Sequence, residues 1–466
     1  MPRSTGEIVS GTLLIVESPV LAAAVNRLKL PQITAFATRG FAWLPKSEPG
    51  TGRLIARANP DLSGVRKALK ELHPAFYDIV IAADADPSGY FISRAVAKFL
   101  GKRGGIRFGQ LTAISAEALE KAIATARPEL PFDDEQLRRH FFIRQQYRSF
   151  FSEPLPLMLA LGLLSGPFPA QTYITPNKKH FIRSLKPALQ LAEVSLKLRP
   201  SPAEGLYPAV PAPPSAAVLP YVRGQRFAAT QEQISRLFCF QDDALGRTLI
   251  SYPRTRSNAW YPETWDTLGE QLQRTEPGAV QIPVAMRAIA PAGSAHEALH
   301  VISLSDSPHQ MRAFLKKELL FLYELIYRHT KAAVSIPPAL HKNQILQDEQ
   351  ERLFWADLPL LKDEVMQVKP VVTLQQFMQM LLNTGWVTAG SLGTATDAVL
   401  TSGHITLETR PEPHLRVNNS TSAQELCLRA KRTRRMMENA AGLKSDAALS
   451  PAQFNKLCTQ LFRDEN

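Results

Sequence analysis

Cysteine is scarce. The 466 residues contain three, Cys239, Cys427 and Cys458, far apart and never as a Cys-x-x-Cys pair. That spacing excludes a zinc ribbon and argues against a disulfide framework. Long apolar runs are also missing. None approaches the ~20 residues a membrane helix needs, and the first apolar stretch, Leu13 to Val16, is too short for a signal peptide. A cytoplasmic protein with no membrane partner is expected. Negative charge is the third shortage: 42 Asp and Glu stand against 54 Lys and Arg, a net charge of +12. Such an excess marks either a basic but otherwise ordinary enzyme or a protein with a polyanionic partner such as nucleic acid. Clustering favours the second. Arg138, Arg139, Arg144 and Arg148 recur at helical spacing, and Lys431, Arg432, Arg434 and Arg435 form a tight run. That run is either part of a nucleic-acid path or a solvated charged face.

What is present is enough chain for two to four domains, with 45% apolar residues. Gly11 to Glu17 reads as a buried strand ending on a carboxylate, followed by a helix from Val20 to Leu28. Asp78 to Asp84 reads as a second buried strand ending on acids. Pro87-Ser88-Gly89 then turns into a helix from Tyr90 to Leu100. Strands alternating with helices predict a parallel α/β sheet, and acids at the carboxyl ends of its strands lie where such sheets bind ligands. From Asp133 to Glu193 the pattern is mostly helical. Leu198 to Pro220 is rich in proline and reads as an extended connection. Helical patterning returns at Gln231 to Phe238, Asp242 to Leu249, Gln310 to Ala333, Leu374 to Asn383 and Ala423 to Asn439.

Three groups of residues carry chemistry. Asp84 and Asp86, at i and i+2 on a strand-to-turn junction, either share a hard cation such as Mg²⁺ or cap the next helix as solvated turn residues. Glu17, at a neighbouring strand end, would face the same crevice. Tyr252 sits in Leu249-Ile250-Ser251-Tyr252-Pro253-Arg254-Thr255. A phenol titrates near 10 and attacks poorly without a cation to help it. Arg254, two residues on, shares its face in an extended segment and could hold the phosphate that Tyr252 attacks. The alternative is an interior tyrosine beside a surface arginine. In Ala295-His296-Glu297-Ala298, His296 can donate to a phosphate oxygen and Glu297 can orient a donor, though a His-Glu pair also serves structural roles.

The order of these segments resembles the type IA DNA topoisomerases, and the topoisomerase III branch in particular. Leu13 to Pro19 resembles the opening of that family's TOPRIM domain. Ala37-Thr38-Arg39-Gly40 with Leu44-Pro45 resembles its next loop, and Ile79 to Asp86 its acidic strand. Ala170-Gln171-Thr172 resembles a helical-domain motif, and Phe227 to Thr230 with Gln233-Ile234 the lead-in to the catalytic domain. Leu249 to Thr255 is very close to the active-site signature, and Tyr261-Pro262-Glu263 matches the topoisomerase III branch. Ala295 to Ala298, Tyr323 to Arg328 and Leu392 to Thr396 follow in family order.

The resemblance implies a multidomain α/β plus α fold of toroidal shape. It would comprise a Rossmann-like TOPRIM domain (8–128), a helical domain split between 129–195 and 306–400, a reduced strand-rich arch or linker (196–226), a tyrosine-bearing domain (227–305) and an extension (401–466). It implies ATP-independent cleavage of single-stranded or negatively supercoiled DNA through a 5′-phosphotyrosine, then strand passage and religation. Tyr252 would be the nucleophile and Arg254 the phosphate binder, with Glu17 near the leaving 3′ oxygen. His296 and Glu297 would position the phosphate, Asp84 and Asp86 would hold Mg²⁺, and Arg144, Arg148, Gln171, Thr172 and the Lys431 to Arg435 run would line the DNA path.

Departures from the family pattern fall in the same places. Leu21 replaces a lysine, and Pro87-Ser88-Gly89-Tyr90 replaces an arginine, a glutamate, a glycine and a glutamate. Pro169 replaces an arginine, Phe41 a histidine, Arg256 an aspartate and Asp397 an arginine. Fewer acids imply weaker Mg²⁺ binding. The alternative function is accordingly a topoisomerase-like single-stranded DNA-binding or scaffold protein whose catalysis is impaired.

Overall fold

The computed structural model describes residues 9–48, 54–84, 86–101, 105–111, 113–130, 137–138, 140–141, 144, 147, 153–164, 172–174, 181–184, 194–197, 199–200, 226–240, 247–282, 284, 287–291, 296–335, 345–347, 349–351, 353–356, 365–409, 414–418, 424–431 and 433.

Near the N-terminus, β1 (Val9–Val16), β2 (Ile33–Ala37), β5 (Phe76–Ile81) and β6 (Ile106–Phe108) form a sheet in the order β2-β1-β5-β6, with every pairing parallel. A hairpin of β3 (Trp43–Ser47) and β4 (Leu54–Ala58) is inserted between β2 and β5. The continuous apolar runs of β1 and β5 follow from burial on both faces. Leu14, Val16, Val80 and Ala82 pack on one side with α1 (Pro19–Arg27) and α4 (Ala116–Ala124). Leu13, Ile15, Ile79 and Ile81 pack on the other with α2 (Ser63–Leu72) and α3 (Pro87–Leu100). The strand order reverses between β1 and β5, so their carboxyl ends open a crevice at the switch point. Glu17 follows one of these strands and Asp84 the other.

Pro87-Ser88-Gly89, expected as a turn, is instead the first turn of α3. Asp86 is its N-cap and accepts a hydrogen bond from the Gly89 N–H at 2.9 Å. Proline suits this position, where a helix N–H has no partner to lose.

The first core continues beyond the sheet. The face that holds α1 is continuous with a larger apolar cluster that takes in Tyr252, Trp260 and the helices Leu155–Leu164, Phe227–Phe238, Pro262–Thr275, Lys317–Val334, Leu374–Asn383 and Leu392–Thr401. Leu155–Leu164 is apolar all round and buried from Leu157 to Leu163, as a helix enclosed by other helices should be. The helix expected from Gln310 to Ala333 divides into one turn, Pro308–Met311, and the helix Lys317–Val334.

A second sheet departs from expectation. Strands at Thr172–Ile174, Phe181–Ser184, Val194–Lys197 and Arg199–Pro200 pair antiparallel with Ile345–Gln347, Leu353–Ala356 and Val365–Thr373. Ile405–Glu408 and His414–Val417 extend the same sheet. The sequence pattern had placed helix or linker in most of these intervals. Val365–Thr373 apart, the strands are too short to give readable alternation, and several of them pair with segments far away in the chain. After this sheet, residues 424–431 and 433 are helical. Arg429 binds both carboxylate oxygens of Glu153 at 3.1 and 3.3 Å, and Ala430 is fully buried.

Asp397, one of the departures noted above, has a structural task. Its carboxylate accepts the N–H groups of Phe227 and Ala228 at 2.9 Å each, capping the helix Phe227–Phe238 from a distant segment. Gln231 ties the same two helices together: its amide donates to the Ala389 carbonyl and its Oε1 accepts from the Gly393 N–H. Asp397→Ala strands two helix N–H groups, so it should cost about 1–2 kcal/mol and lower the thermal midpoint by circular dichroism. Asp397→Asn should recover part of the loss.

Candidate active site

The segment that carries Tyr252 is irregular, and its neighbours fix it. Ile250 bridges antiparallel to Val301, the Ser251 N–H donates to the His300 carbonyl at 2.9 Å, and the Ser251 hydroxyl accepts from the His300 N–H at 3.0 Å. Behind this pair, Glu297 accepts from the Tyr261 N–H at 2.9 Å and faces His300 Nε2 at 3.1 Å. Burial would raise the Glu297 carboxyl, but hydrogen bonds from His300, Tyr261 and Thr264 outweigh it and hold the group below its ordinary value. Glu297 thus braces the loop rather than facing the tyrosine hydroxyl. His300 was missed in the sequence reading, although the spacing His296-x-x-x-His300 was available as a signal.

Tyr252 is 7% exposed. Its ring takes the edge of Phe238 at 5.5 Å and 84° and lies over His296 at 4.4 Å. Its hydroxyl donates to one carboxylate oxygen of Asp84. The other oxygen binds Arg254 Nη1 at 2.8 Å. The Asp84 N–H donates to Glu17 Oε1 at 2.9 Å. The structure therefore brings together Tyr252, Arg254, Asp84, Glu17 and His296, with Asp86 two residues away along the chain.

The electrostatics follow from crowding acids in a poorly solvated crevice. Burial, then Asp84 and Asp86, push Glu17 well above the ordinary carboxylate range. Burial and Asp84 also raise Asp86, against the pull of the Gly89 N–H and Arg256. Burial first, then Asp84, push the Tyr252 phenol well above 10, with Arg254 opposing. Asp84 is the chief influence raising Arg254. Burial lowers His296 to about 4. Its Nδ1 is buried without a hydrogen-bond partner among the described residues. A buried polar atom of this kind is costly unless a ligand or water completes it.

A cleft of about 380 Å³ opens beside these groups, lined by Asp86, Arg254, Arg256, Ser257, Asn258 and His296 among others. As they stand, the carboxylates do not fit a resident divalent ion. Both oxygens of Asp84 are engaged, one oxygen of Asp86 caps α3, and no three donors converge among the described residues. Mg²⁺ asks for a near-octahedral set of free oxygens.

Of the expected DNA-path residues, Arg144, Thr172 and Lys431 are described. Arg144 Nη1 lies 3.3 Å from His140 Nε2, and Lys431 is exposed on the helical segment 424–431. Thr172 lies in a strand paired with Val371. Arg148, Gln171, Arg432, Arg434 and Arg435 lie outside the described residues.

Superposition on solved structures gives full-length topoisomerase I from Thermotoga maritima, with a TM-score of 0.60 and 15% identity, covering 97% of this chain and 91% of that one. This chain shares the fold of that protein. The neighbour is a topoisomerase I, so the likeness does not single out the topoisomerase III branch suggested by Tyr261 to Glu263. No protein-family model matches the sequence, and no curated protein matches it either. Among the described residues, no helix is long and apolar enough to cross a membrane.

Two outcomes are expected. The His296 ring should stay neutral down to a midpoint near 4 in an NMR titration. The unfolded chain takes up that proton first, near 6.5, so this histidine should make the fold lose stability as pH falls from about 6.5 to 4. A midpoint above 6 would refute the burial argument. Gly89 has no room for a side chain, because a Cβ there would overlap the Asp84 carbonyl. Gly89→Ala should displace Asp84 and lower the thermal midpoint by several degrees or more; an unchanged midpoint would contradict the packing.

Proposed function

We propose that this chain is a type IA DNA topoisomerase, cutting single-stranded DNA with Tyr252 and resealing it without ATP. The observation that carries this reading is the convergence of a buried tyrosine hydroxyl, an arginine and two acids at the carboxyl end of a parallel sheet, in a chain that shares the fold of a topoisomerase I. The net charge of +12 suits a polyanionic substrate.

The chemistry follows from these residues. In the resting arrangement Asp84 occupies both the nucleophile and the phosphate-binding arginine. A DNA phosphate entering the cleft competes for Arg254, whose planar fork suits a phosphate as well as a carboxylate. Tyr252 Oη then attacks phosphorus. Its proton passes to Asp84, to which the hydroxyl already donates. The bond from phosphorus to the 3′ oxygen breaks, leaving the 5′ phosphate on Tyr252. Glu17, whose environment favours the protonated form, gives its proton to the departing oxygen. His296, neutral and with Nδ1 unpartnered among the described residues, supplies a hydrogen bond to a phosphate oxygen. Reversal of these transfers reseals the strand. Because Tyr252 is buried, the two walls of the site, one from the sheet and one from the tyrosine segment, must separate for DNA to enter. The ring-shaped arrangement of this family would serve that opening and strand passage. Mg²⁺ supplies charge stabilisation of the phosphate where such enzymes hold it, and no step here depends on it.

Incubation with end-labelled single-stranded DNA, followed by denaturation, should leave label covalently on the protein. Tyr252→Phe should abolish the adduct, and Arg254→Ala should reduce it by about 100-fold or more. Binding of the oligonucleotide with no adduct under any condition would favour the alternative, a DNA-binding or scaffold protein without turnover.

A further inference from the structure

One cation in the cleft makes no hydrogen bond or ion pair among the described residues. Arg256 is exposed, lines the cleft with Arg254, Asp86 and His296, and its guanidinium makes no hydrogen bond or ion pair with the described residues. Its backbone carbonyl is held by Gln379. Opposite stands bare backbone: a Cβ on Gly385, which adopts φ +76°, would lie 3.8 Å from Arg256 Nη1. The guanidinium is therefore left free to meet a ligand.

The charge of Arg256 acts on Asp86, Tyr90 and His140. His140 stacks on Trp386 at 5.3 Å and 10°, and it is kept neutral, lowered to about 3 by burial and by Arg144 and Arg256. Positive charge thus extends from Arg254 past Arg256 toward Arg144. Residues 254 and 256 are separated by at most about 7 Å of chain, a reach that suits neighbouring phosphates of one strand.

Arg256 also bears on the metal question. Among the described residues no three donors converge on one point, and positive charge is already supplied there by Arg254 at Asp84 and by Arg256 near Asp86, which disfavours a dication.

We propose that Arg256 takes the place of a divalent cation in this site: its guanidinium holds the phosphate next to the one at Arg254, and single-stranded DNA is captured, joined and resealed without Mg²⁺. The joining half rests on the tyrosine reading above. Its atoms balance without a metal: the Tyr252 Oη–P bond forms, the P–O3′ bond breaks, the phenol proton goes to Asp84 and the leaving oxygen takes its proton from Glu17. Arg256 contributes charge to the neighbouring phosphate and exchanges no proton.

The test separates the two halves. Anisotropy of a labelled oligonucleotide on Tyr252→Phe protein should give the same affinity in EDTA as in Mg²⁺. Adding Arg256→Gln should weaken binding roughly tenfold and reduce the slope of log affinity against log salt by about one. Circular dichroism should show that this exposed substitution leaves the fold intact. With wild type, the adduct should form in EDTA and reverse in EDTA when a 3′-hydroxyl strand is supplied. A requirement for Mg²⁺ in binding or in reversal would overturn the proposal, and so would Arg256→Gln protein that binds as well as its parent. Metal-free, Arg256-dependent binding with no adduct in any buffer would keep the phosphate site and discard the tyrosine reading.

Discussion

The site depends on one carboxylate. Asp84 lies at the end of a sheet strand, yet its two oxygens are taken by residues 168 and 170 positions later in the chain. Neither contact is local, so both exist only when the sheet and the tyrosine segment dock. The docking is apolar, through the core shared by the α1 face of the sheet and the helices around Tyr252. The polar link is then formed inside a crevice that water screens poorly, and that raises its electrostatic weight. It also explains the direction of each shifted group: acids pushed up by burial and by one another, and an arginine held charged by the carboxylate it binds.

The same arrangement makes the resting site self-satisfied. Tyr252, Arg254 and Asp84 are all partnered within the protein, while His296 Nδ1 and the Arg256 guanidinium, which make no hydrogen bond among the described residues, belong to residues that line the cleft. A polyanion entering there would meet the uncommitted groups first and compete for the committed ones afterwards. Glu297 and His300 stand one layer back and keep the tyrosine loop in register, a task that His-Glu alone did not disclose.

Much of this was legible in the residues themselves. The buried strands Leu13 to Val16 and Ile79 to Ile81 announce a parallel sheet because both faces are covered, and the acids that follow them mark the crevice. Helices such as Leu374–Asn383 carry clear periodicity and a Thr373 capping box. The antiparallel sheet was not legible. Apart from the nine-residue Val365–Thr373, its strands of two to four residues show no pattern of their own, and several acquire their conformation from partners contributed by distant segments. In the site, residue types pointed to Tyr252 and Arg254. They could not reveal that Asp84 would hold both, and they left open whether Asp86 would bind an ion or cap the next helix, as one of its oxygens does. Those outcomes are set by tertiary geometry.

The cap on the helix Phe227–Phe238 has a bearing on how the chain is made. Asp397 comes 170 residues after Phe227. At a synthesis rate of about 5–20 residues per second, the ribosome delivers that carboxylate roughly 10–35 s after the helix it completes. Through that interval the helix that presses Phe238 against Tyr252 has open N–H groups and an unfilled docking face. Protection of the nascent chain over those seconds, by chaperones or by its own early contacts, becomes a condition for forming the site at all.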